Sequence, residues 1–294
     1  MSVARPLSVT PPRGILYLAL GIFAFTAMDA VAKGLVAHYP TVQVIWARYI
    51  VNLIAVVLIL GPRLTAALKT RFPWLHLARG ISQMGAIGFF FASLNYIGLA
   101  EATALAEVNP LLITLGAVLF LGEALTRPRI IGIAVALIGT LIITRPGMGV
   151  FSAAALLPLG CAVSFAANIL LTRAVGSRES AAAAMVYSAL LGTLFSSTLV
   201  PFHWTPVATP DLPAFILLGA LGMAAQWCVV RAYSMSEAAA IAPFGYLDIL
   251  FATFFSIVAF DEYPDRFTMI GALVIALAGL YVWRKETTAP NMAV

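Results

Sequence analysis

Charged and amide side chains interrupt runs of apolar residues throughout this chain. The segment IAPFGYLDILFATFFSIVAFDE, residues 241–262, carries Pro243 near its start and Asp248 in its middle. A charged side chain at the centre of a membrane span costs about 2.5–3.5 kcal/mol on insertion scales, so such residues normally face the interior of a helix bundle. Similar residues stand in other apolar runs: Asp29, Arg48, Gln83, Asn95, Glu107, Asn109, Asn168 and Gln226. Their types and positions predict a polar path through an apolar protein.

Three of the ionisable residues lie at similar depths in their runs. Asp29 is about five residues, or roughly 8 Å at 1.5 Å per residue, from the end of the first run. Arg48 and Glu107 lie about equally far from the ends of their own runs. We expect an ion-pair cluster that either fixes the helices or takes part in gating or coupling. Lys33 offers Asp29 a second partner, because residues four apart share a helix face.

Asp248 stands deeper, about nine residues into its run and therefore near the midplane of a bilayer. No basic residue obviously shares that depth. Three states suit such a carboxyl group: a protonated form, which desolvation favours, a water-filled cavity, or a hydrogen bond to a neighbouring helix. The backbone is expected to be irregular here, because Pro243 and Gly245 precede Asp248, and also in the run that contains Pro110. Irregular backbone at depth usually lines a cavity in transporters.

The elements that position these residues are transmembrane helices. Of the 294 residues, 62% are hydrophobic and 10% are charged, whereas soluble domains contain about 25% charged residues. Repeated apolar runs of about 20 residues predict an all-α polytopic membrane protein, because lipid offers no partner for open backbone groups. The ten predicted spans are 14–34, 41–61, 77–98, 102–121, 129–144, 153–174, 181–201, 212–233, 239–260 and 267–283.

The distribution of basic residues predicts the orientation of the spans. Most of the 17 Lys and Arg residues fall on the side of the N-terminus, while Lys33, Arg145 and Arg266 fall on the opposite side. This bias follows the positive-inside rule, so we expect the tails 1–13 and 284–294 to be cytoplasmic. Membrane topology also explains the net charge of +5 without a nucleic-acid partner.

The two halves of the chain resemble each other. LGEALTRPRIIGIAVALIGTLIIT in the first half aligns with FDEYPDRFTMIGALVIALAGLYVW in the second, which sets Glu123 opposite Glu262. Each half, 14–144 and 153–283, contains five predicted spans. Because five is an odd number, the second half enters the membrane from the opposite side, as in many alternating-access transporters.

Two longer stretches resemble a known family. AAAIAPFGYLDILFATFFSIVAFDE, followed by PDRFTMIGALVIALAGLYV, resembles the second half of EamA-type members of the drug/metabolite transporter superfamily. EVNPLLITLGAVLFLGEALTRPRIIGIAVALIGTLII resembles its partner in the first half. The resemblance covers roughly residues 15–283. It implies ten helices in two inverted five-helix repeats, in the bacterial inner (plasma) membrane. The chain departs from many members at Asn109–Pro110, where they carry Glu–Pro, so a charge-dependent role does not transfer to Asn109.

The chain most resembles the YddG-type exporters of aromatic amino acids and related metabolites. The function expected from this resemblance is export of small zwitterionic or amphipathic metabolites by alternating access through a central cavity. Polar substrate contacts are expected from Gln83, Asn168, Gln226 and Tyr246, ring stacking from Phe165 and Trp227, and gating or coupling from Asp29, Arg48, Glu107 and Asp248. The expected partners are a small-molecule substrate and the lipid bilayer, and the oligomeric state, a monomer included, is left open.

Two other functions remain open. A carrier of anionic metabolites, such as sugar phosphates or nucleotide sugars, needs deep cations, and Arg48 is the only deep one. An intramembrane enzyme needs a catalytic or metal-binding pattern, but His38, His76 and His203 lie in loops or at span ends. No nucleotide-binding motif occurs, so direct drive by ATP is not expected. We therefore expect no enzyme activity, no metal and no cofactor.

Overall fold

The computed structural model describes residues 12–122, 126–145, 153–175, 181–235 and 242–288. Within those ranges all regular secondary structure is helical. The membrane helices are α1 (Pro12–Val36), α2 (Thr41–Leu60), α3 (Pro73–Ser93), α4 in two pieces (Leu99–Ala106 and Asn109–Leu121), α5 (Arg127–Thr144), α6 (Leu156–Val175), α7 (Ala181–Leu199), α8 (Leu212–Met235), α9 (the 3-10 turn Ala242–Tyr246 followed by Leu247–Phe260) and α10 (Arg266–Thr288). The prediction of an all-α membrane protein with ten helices is confirmed.

Length and hydropathy explain why these segments form membrane helices. Eight helical segments of the described chain are long and apolar enough to cross a bilayer, and α1, with 25 residues, spans about 37 Å. α3 has 21 residues, but His76 and Arg79 make it less apolar. The α-helical part of α9 has only 14 residues, because the start of this span is a 3-10 turn.

Helix packing has the two-fold symmetry of an inverted repeat. α1 packs along α8, and α3 packs along α6. The repeat relates α1 to α6 and α8 to α3, so it converts each of these pairs into the other. α2 packs on α7 and α5 packs on α10, and the repeat converts each of these pairs into itself. This arrangement confirms two five-helix repeats of opposite orientation. The largest apolar core, which includes Met28, Phe91 and Leu218, lies between α1, α3 and α8.

Glycines allow α5 and α10 to approach closely. A β-carbon added to Gly271 would lie 2.7 Å from the carbonyl oxygen of Gly139. One added to Gly139 would lie 3.0 Å from the carbonyl oxygen of Gly271. Such contacts are typical of helix pairs in membranes, where van der Waals packing drives association. The pair holds the last helix of one repeat against the last helix of the other.

Helix boundaries differ from the predicted ones where proline or a short turn intervenes. α3 begins at Pro73 rather than at residue 77, because proline is favoured in the first turn of a helix. The connection 62–76 between the second and third predicted spans contains short helical turns. Part of the predicted ninth span (239–241), Glu123 and most of the two predicted tails lie outside the described residues.

Candidate functional site

Both halves carry a broken helix at the same place in the repeat. In α4 the two pieces are separated by Glu107 and Val108, and Pro110 lies in the first turn of the second piece, where no intrahelical bond is lost. In α9 the 3-10 turn, which contains Pro243 and Gly245, precedes the α-helical part. The repeat makes these two breaks equivalent. The three residues predicted to disturb the backbone therefore lie at two symmetry-related points of the bundle.

The two breaks and α1 bring three carboxyl groups together. Glu107 lies in the break of α4, Asp248 in the first turn after the break of α9, and Asp29 on α1. Asp248 interacts electrostatically with both Asp29 and Glu107, and all three side chains are partly accessible. We call Asp29, Glu107 and Asp248 the acidic cluster. The sequence placed Asp248 apart from the other two acids, but the packing of α9 against α1 and α4 brings it beside them.

Arg48 on α2 is the cation beside the acidic cluster. It attracts Asp29, and its guanidinium carbon lies 5.6 Å from the centre of the Phe91 ring. No direct ion pair joins Arg48 to Asp29 in the described part of the chain. Cys161 on α6 faces Asp29 and Glu107 from the second repeat. No metal-binding group of His, Cys, Asp and Glu side chains is present among the described residues. The arrangement is suited to binding charged organic groups.

Asp248 forms a short hydrogen bond with Thr26 on α1. Oγ1 of Thr26 lies 2.6 Å from Oδ1 of Asp248 and 2.8 Å from the carbonyl oxygen of Ile22. Thr26 is fully buried, so its hydroxyl group depends on these protein partners. Thr26 is not among the residues predicted from the sequence. The signal that points to it is a hydroxyl three residues before Asp29 in an apolar run.

A second set of ion pairs joins the helices at the membrane face opposite the N-terminus, which we call the distal face. Nζ of Lys33 lies 2.5 Å from Oε2 of Glu262, and Arg145 pairs with Asp265 at 2.6 Å. Both pairs connect the two repeats. Lys33 therefore pairs with Glu262 and not with Asp29, because α1 and α9 both end at the distal face. Glu262 is a partner that the sequence did not indicate for Lys33.

A pocket of about 320 Å³ at the distal face is distinct from the acidic cluster. Its lining includes Glu101, Arg145, Ser256, Glu262 and Asp265. Burial by itself raises the pKa of Asp265, but hydrogen bonds from Thr268 and the charge of Arg145 prevail and leave that pKa below its usual value. In the loops nearby, Tyr39 donates a 2.6 Å hydrogen bond to Asp211, and this bond raises the pKa of the Tyr39 hydroxyl.

Four of the six residues predicted to contact substrate are at least partly buried. Gln83 on α3, Phe165 on α6 and Tyr246 at the break of α9 are partly buried. Asn168 on α6 is buried, and its amide donates to the carbonyl oxygen of Arg79 at 2.9 Å. The Asn168 amide therefore ties α6 to α3, and this bond leaves it fewer hydrogen-bonding groups for a substrate.

Gln226 and Trp227 on α8 are exposed. The Trp227 ring lies edge-on to Tyr17 with 5.7 Å between centroids, and the guanidinium of Arg231 lies 5.5 Å from its centre. Such an arrangement is typical of the aromatic belt at a membrane surface. Tyr17 precedes Asp29 by about 18 Å of helix. Trp227 therefore lies nearer the N-terminal face than the acidic cluster does.

Two stretches of the chain, residues 12–145 and 152–284, each match the model of the EamA-like transporter family. Each match contains one five-helix half with its broken helix. The chain belongs to the EamA-like transporter family. This EamA-type protein is therefore a multi-pass membrane transporter and not an enzyme.

The EamA-type chain is similar over nearly its full length to transporters that are named for different substrates. It is 26% identical over 278 residues to the S-adenosylmethionine uptake transporter of Rickettsia conorii, covering 95% of each chain. It is 29% identical over 286 residues to the riboflavin transporter of Rhizobium johnstonii, again covering 95% of each. It is 26% identical over 280 residues to the pseudopaline exporter of Pseudomonas aeruginosa, covering 93% of this chain and 96% of the other.

A crystal structure with 19% sequence identity has the same fold. It superposes with a TM-score of 0.63 and covers 94% of this chain and 98% of its own. The arrangement of the EamA-type helices is therefore shared with an experimentally determined protein.

Proposed function

We propose that this EamA-type transporter exports small zwitterionic metabolites, including aromatic amino acids, by alternating access through a central cavity at the acidic cluster. The observation that carries the proposal is the set of charged groups in and beside the acidic cluster. Within the described residues, the three carboxyl groups of the acidic cluster lie beside one cation, Arg48. The carboxyl groups of the acidic cluster attract an ammonium group, while the guanidinium of Arg48 suits a carboxylate.

Aromatic rings near these charges supply an apolar surface for a substrate ring. Phe91 lies beside Arg48, and Phe25 and Phe90 pack partly buried against the same core. Phe165 follows Cys161 by one helical turn on α6, so it shares the helix face that is directed at the acidic cluster. Ring stacking against these side chains supports recognition of aromatic amino acids.

Alternating access is supported by the inverted repeat. Two equivalent halves are able to exchange conformations, so that one site faces first one side of the membrane and then the other. Both repeats contribute residues to the acidic cluster, because Asp29 and Glu107 belong to the first repeat and Asp248 belongs to the second. Motion of one repeat against the other would therefore change access to the same charges.

The relatives support organic metabolites as the substrate class. They are named for S-adenosylmethionine, riboflavin and pseudopaline, and S-adenosylmethionine itself contains an amino-acid head group. Uptake and export both occur among them, so we base export on the resemblance to aromatic amino-acid exporters. Their bacterial sources support the inner membrane as the location of this chain.

The test is counterflow in proteoliposomes. The purified transporter is reconstituted with unlabelled phenylalanine inside, and entry of labelled phenylalanine is measured against a panel that includes S-adenosylmethionine, riboflavin and glucose 6-phosphate. We expect saturable exchange of amino acids and no exchange of the sugar phosphate. Exchange of the sugar phosphate alone would overturn the proposal, because the lining would then serve an anion. Direction is checked by efflux from cells loaded with a phenylalanine-containing dipeptide, which expression should accelerate.

Arg48→Gln tests the site itself. A hydrogen bond to a charged group contributes about 1.5–3 kcal/mol, so we expect KM for phenylalanine to rise roughly 10- to 100-fold. Arg63→Gln is the matched control, because Arg63 is exposed in a short turn outside the membrane helices. An equal loss in both variants would show that Arg48 does not contact the substrate.

A further inference from the structure

The Arg145–Asp265 pair at the distal face joins two helices whose backbones are in contact. Arg145 directly follows α5, and Asp265 directly precedes α10. The same two helices meet through their backbones at Gly139 and Gly271. Backbone atoms cannot rotate away as the end of a side chain does, so α5 and α10 form a fixed unit.

The Lys33–Glu262 pair joins two helices that meet through their side chains. Lys33 lies near the end of α1, and Glu262 lies two residues after the end of α9. Deeper in the membrane, the ring of Phe23 on α1 lies 5.3 Å from the rings of Phe251 and Phe255 on α9. Because helices slide and repack most readily where side chains form the contact, α1 and α9 separate more easily than α5 and α10 do.

We propose that the Lys33–Glu262 pair is the distal gate of this transporter. The pair holds the distal face closed in the conformation seen here and breaks when that face opens, while the Arg145–Asp265 pair stays formed. The inference rests on the alternating access proposed above and names the residues that control access at one face.

The distal gate lies between the acidic cluster and the distal face. Lys33 follows Asp29 by one helical turn, about 6 Å, on the same side of α1. Nζ of Lys33 also donates to the carbonyl oxygen of Ile97 at 3.4 Å, and a β-carbon added to Gly98 would lie 3.2 Å from Oε2 of Glu262. The pair thus connects α1 and α9 to the turn that leads into α4. These are the three elements that carry the acidic cluster, so breaking the pair frees all of them at the distal face.

The solvation of the two side chains suits a contact that forms and breaks. Lys33 is buried, whereas Glu262 is partly exposed. A fully exposed pair would contribute too little to hold two helices together, and a fully buried pair would be costly to break. The observed pair lies between these limits, and water is able to replace each partner when the distal face opens.

The experiment uses the native thiol of Cys161 as a reporter of the distal gate. Cys161 faces Asp29 and Glu107, and Cys228→Ala leaves it as the only cysteine of the full-length chain. The probe is the impermeant cation trimethylammonium-ethyl methanethiosulfonate, which the acidic cluster attracts. It is added to intact cells or to inverted vesicles, whichever expose the face at which a Thr209→Cys variant is labelled, because Thr209 lies in the distal connection between α7 and α8. The rate of modification of Cys161 is measured.

Glu262→Gln in the Cys228→Ala parent should make this modification about tenfold faster, because an interaction made only in the closed state shifts the equilibrium towards the open state when it is lost. Asp265→Asn is the matched control, since it removes a carboxylate from the other distal pair. It should leave the rate near that of the parent, because α5 and α10 stay in contact.

A double variant separates gating from stability. Adding Lys33→Met to Glu262→Gln removes the unpaired charge, so thermal stability should return in part, but the gate is still missing and Cys161 should still react fast. A merely destabilised protein would instead protect Cys161 again as it regains stability.

Three results would overturn the distal gate. The first is an equal rate in Glu262→Gln and the parent, and the second is an equal rise in Asp265→Asn. The third is no modification in any variant, because the opened face would then not lead to the acidic cluster. If Glu262→Gln does not fold, the double variant decides, and a rate equal to that of the parent would refute the proposal.

Counterflow by the wild-type protein separates this inference from the proposed function. If no compound is exchanged while Cys161 responds as expected, the proposed substrate is wrong and the distal gate stands. If phenylalanine is exchanged while Glu262→Gln leaves the modification of Cys161 unchanged, the distal gate is wrong and the proposed export stands.

Discussion

Lys33 is a buried cation near the end of a membrane helix, and its charge is balanced by a residue from the other half of the protein. The Lys33 side chain is 9% exposed, while that of Glu262 is 42% exposed. The ring of Phe260 lies 5.0 Å from Nζ of Lys33 and covers part of it. The ammonium group depends on Glu262 for its charge balance, since a buried unpaired charge is strongly unfavourable.

Glu262→Gln should therefore destabilise the transporter. Breaking a fully buried pair costs about 3–5 kcal/mol, and we expect roughly 1–3 kcal/mol here because Glu262 is partly solvated. Thermal unfolding in detergent measures the change. Adding Lys33→Met to Glu262→Gln removes the unpaired charge and should restore part of the loss. A single variant as stable as the wild type would show that solvent reaches Lys33.

Asp265 links stability to pH at the distal face. Its pKa lies below the usual 3.8 in the folded protein, because the Thr268 hydrogen bonds and Arg145 outweigh the effect of burial. A lowered folded pKa means that the stabilisation is present above about pH 4 and is lost as the pH falls through the folded pKa. The difference in melting temperature between wild type and Asp265→Asn should therefore be largest near neutral pH. It should shrink in acid, and a difference that grows in acid would contradict this assignment.

At the scale of the helices, close packing and helix breaks have separate roles. The breaks of α4 and α9 place Glu107 and Asp248 beside α1. The unbroken pair of α5 and α10 instead depends on backbone contact at Gly139 and Gly271. The first feature builds the acidic cluster, while the second joins the repeats with little polar chemistry.

Gly271→Ala should separate α5 from α10. The added methyl group would lie 2.7 Å from the carbonyl oxygen of Gly139, which is backbone and cannot rotate away. Overpacking of this kind costs typically about 1–3 kcal/mol, so the melting temperature should fall. Gly88→Ala on α3 is the matched control, because an added β-carbon there meets nothing within 4 Å, and it should leave the melting temperature nearly unchanged. Equal effects of the two changes would argue against tight packing at Gly271.

At the scale of the whole molecule, the positive-inside bias and the ten helices predict both termini in the cytoplasm. Cys161 and Cys228 are first replaced by alanine, and single cysteines are then placed at exposed Arg13 or Thr209. An impermeant maleimide should label the Thr209→Cys variant in intact cells and the Arg13→Cys variant only after permeabilisation. The reverse pattern would show that the N-terminus lies outside the cytoplasm, and the expected orientation of the transporter would then be wrong.

The sequence predicted the helical elements more fully than the contacts of their polar side chains. Runs of apolar residues predicted the spans to within about three residues, apart from α3, which runs from Pro73 to Ser93 rather than from 77 to 98, and the end of α10, which lies at Thr288 rather than at 283. Asp29, Arg48 and Glu107 were expected together from their depths, and the structure places Arg48 beside Asp29 and adds Asp248. Depth gives the height of a residue in the membrane but not its direction around the helix axis. Trp227, predicted to stack with a substrate ring, lies beside Tyr17 and Arg231, neighbours that depth alone did not indicate.

The sequence by itself determined the number of helices and their internal repeat, because hydropathy and span length are local properties that lipid enforces on each segment. Only the tertiary structure decided which polar groups meet. Thr26 and Asp248 are 222 residues apart in the chain, and Lys33 and Glu262 are 229 apart. Their meeting depends on how each helix is rotated and where α4 and α9 break, and packing against neighbouring helices sets both.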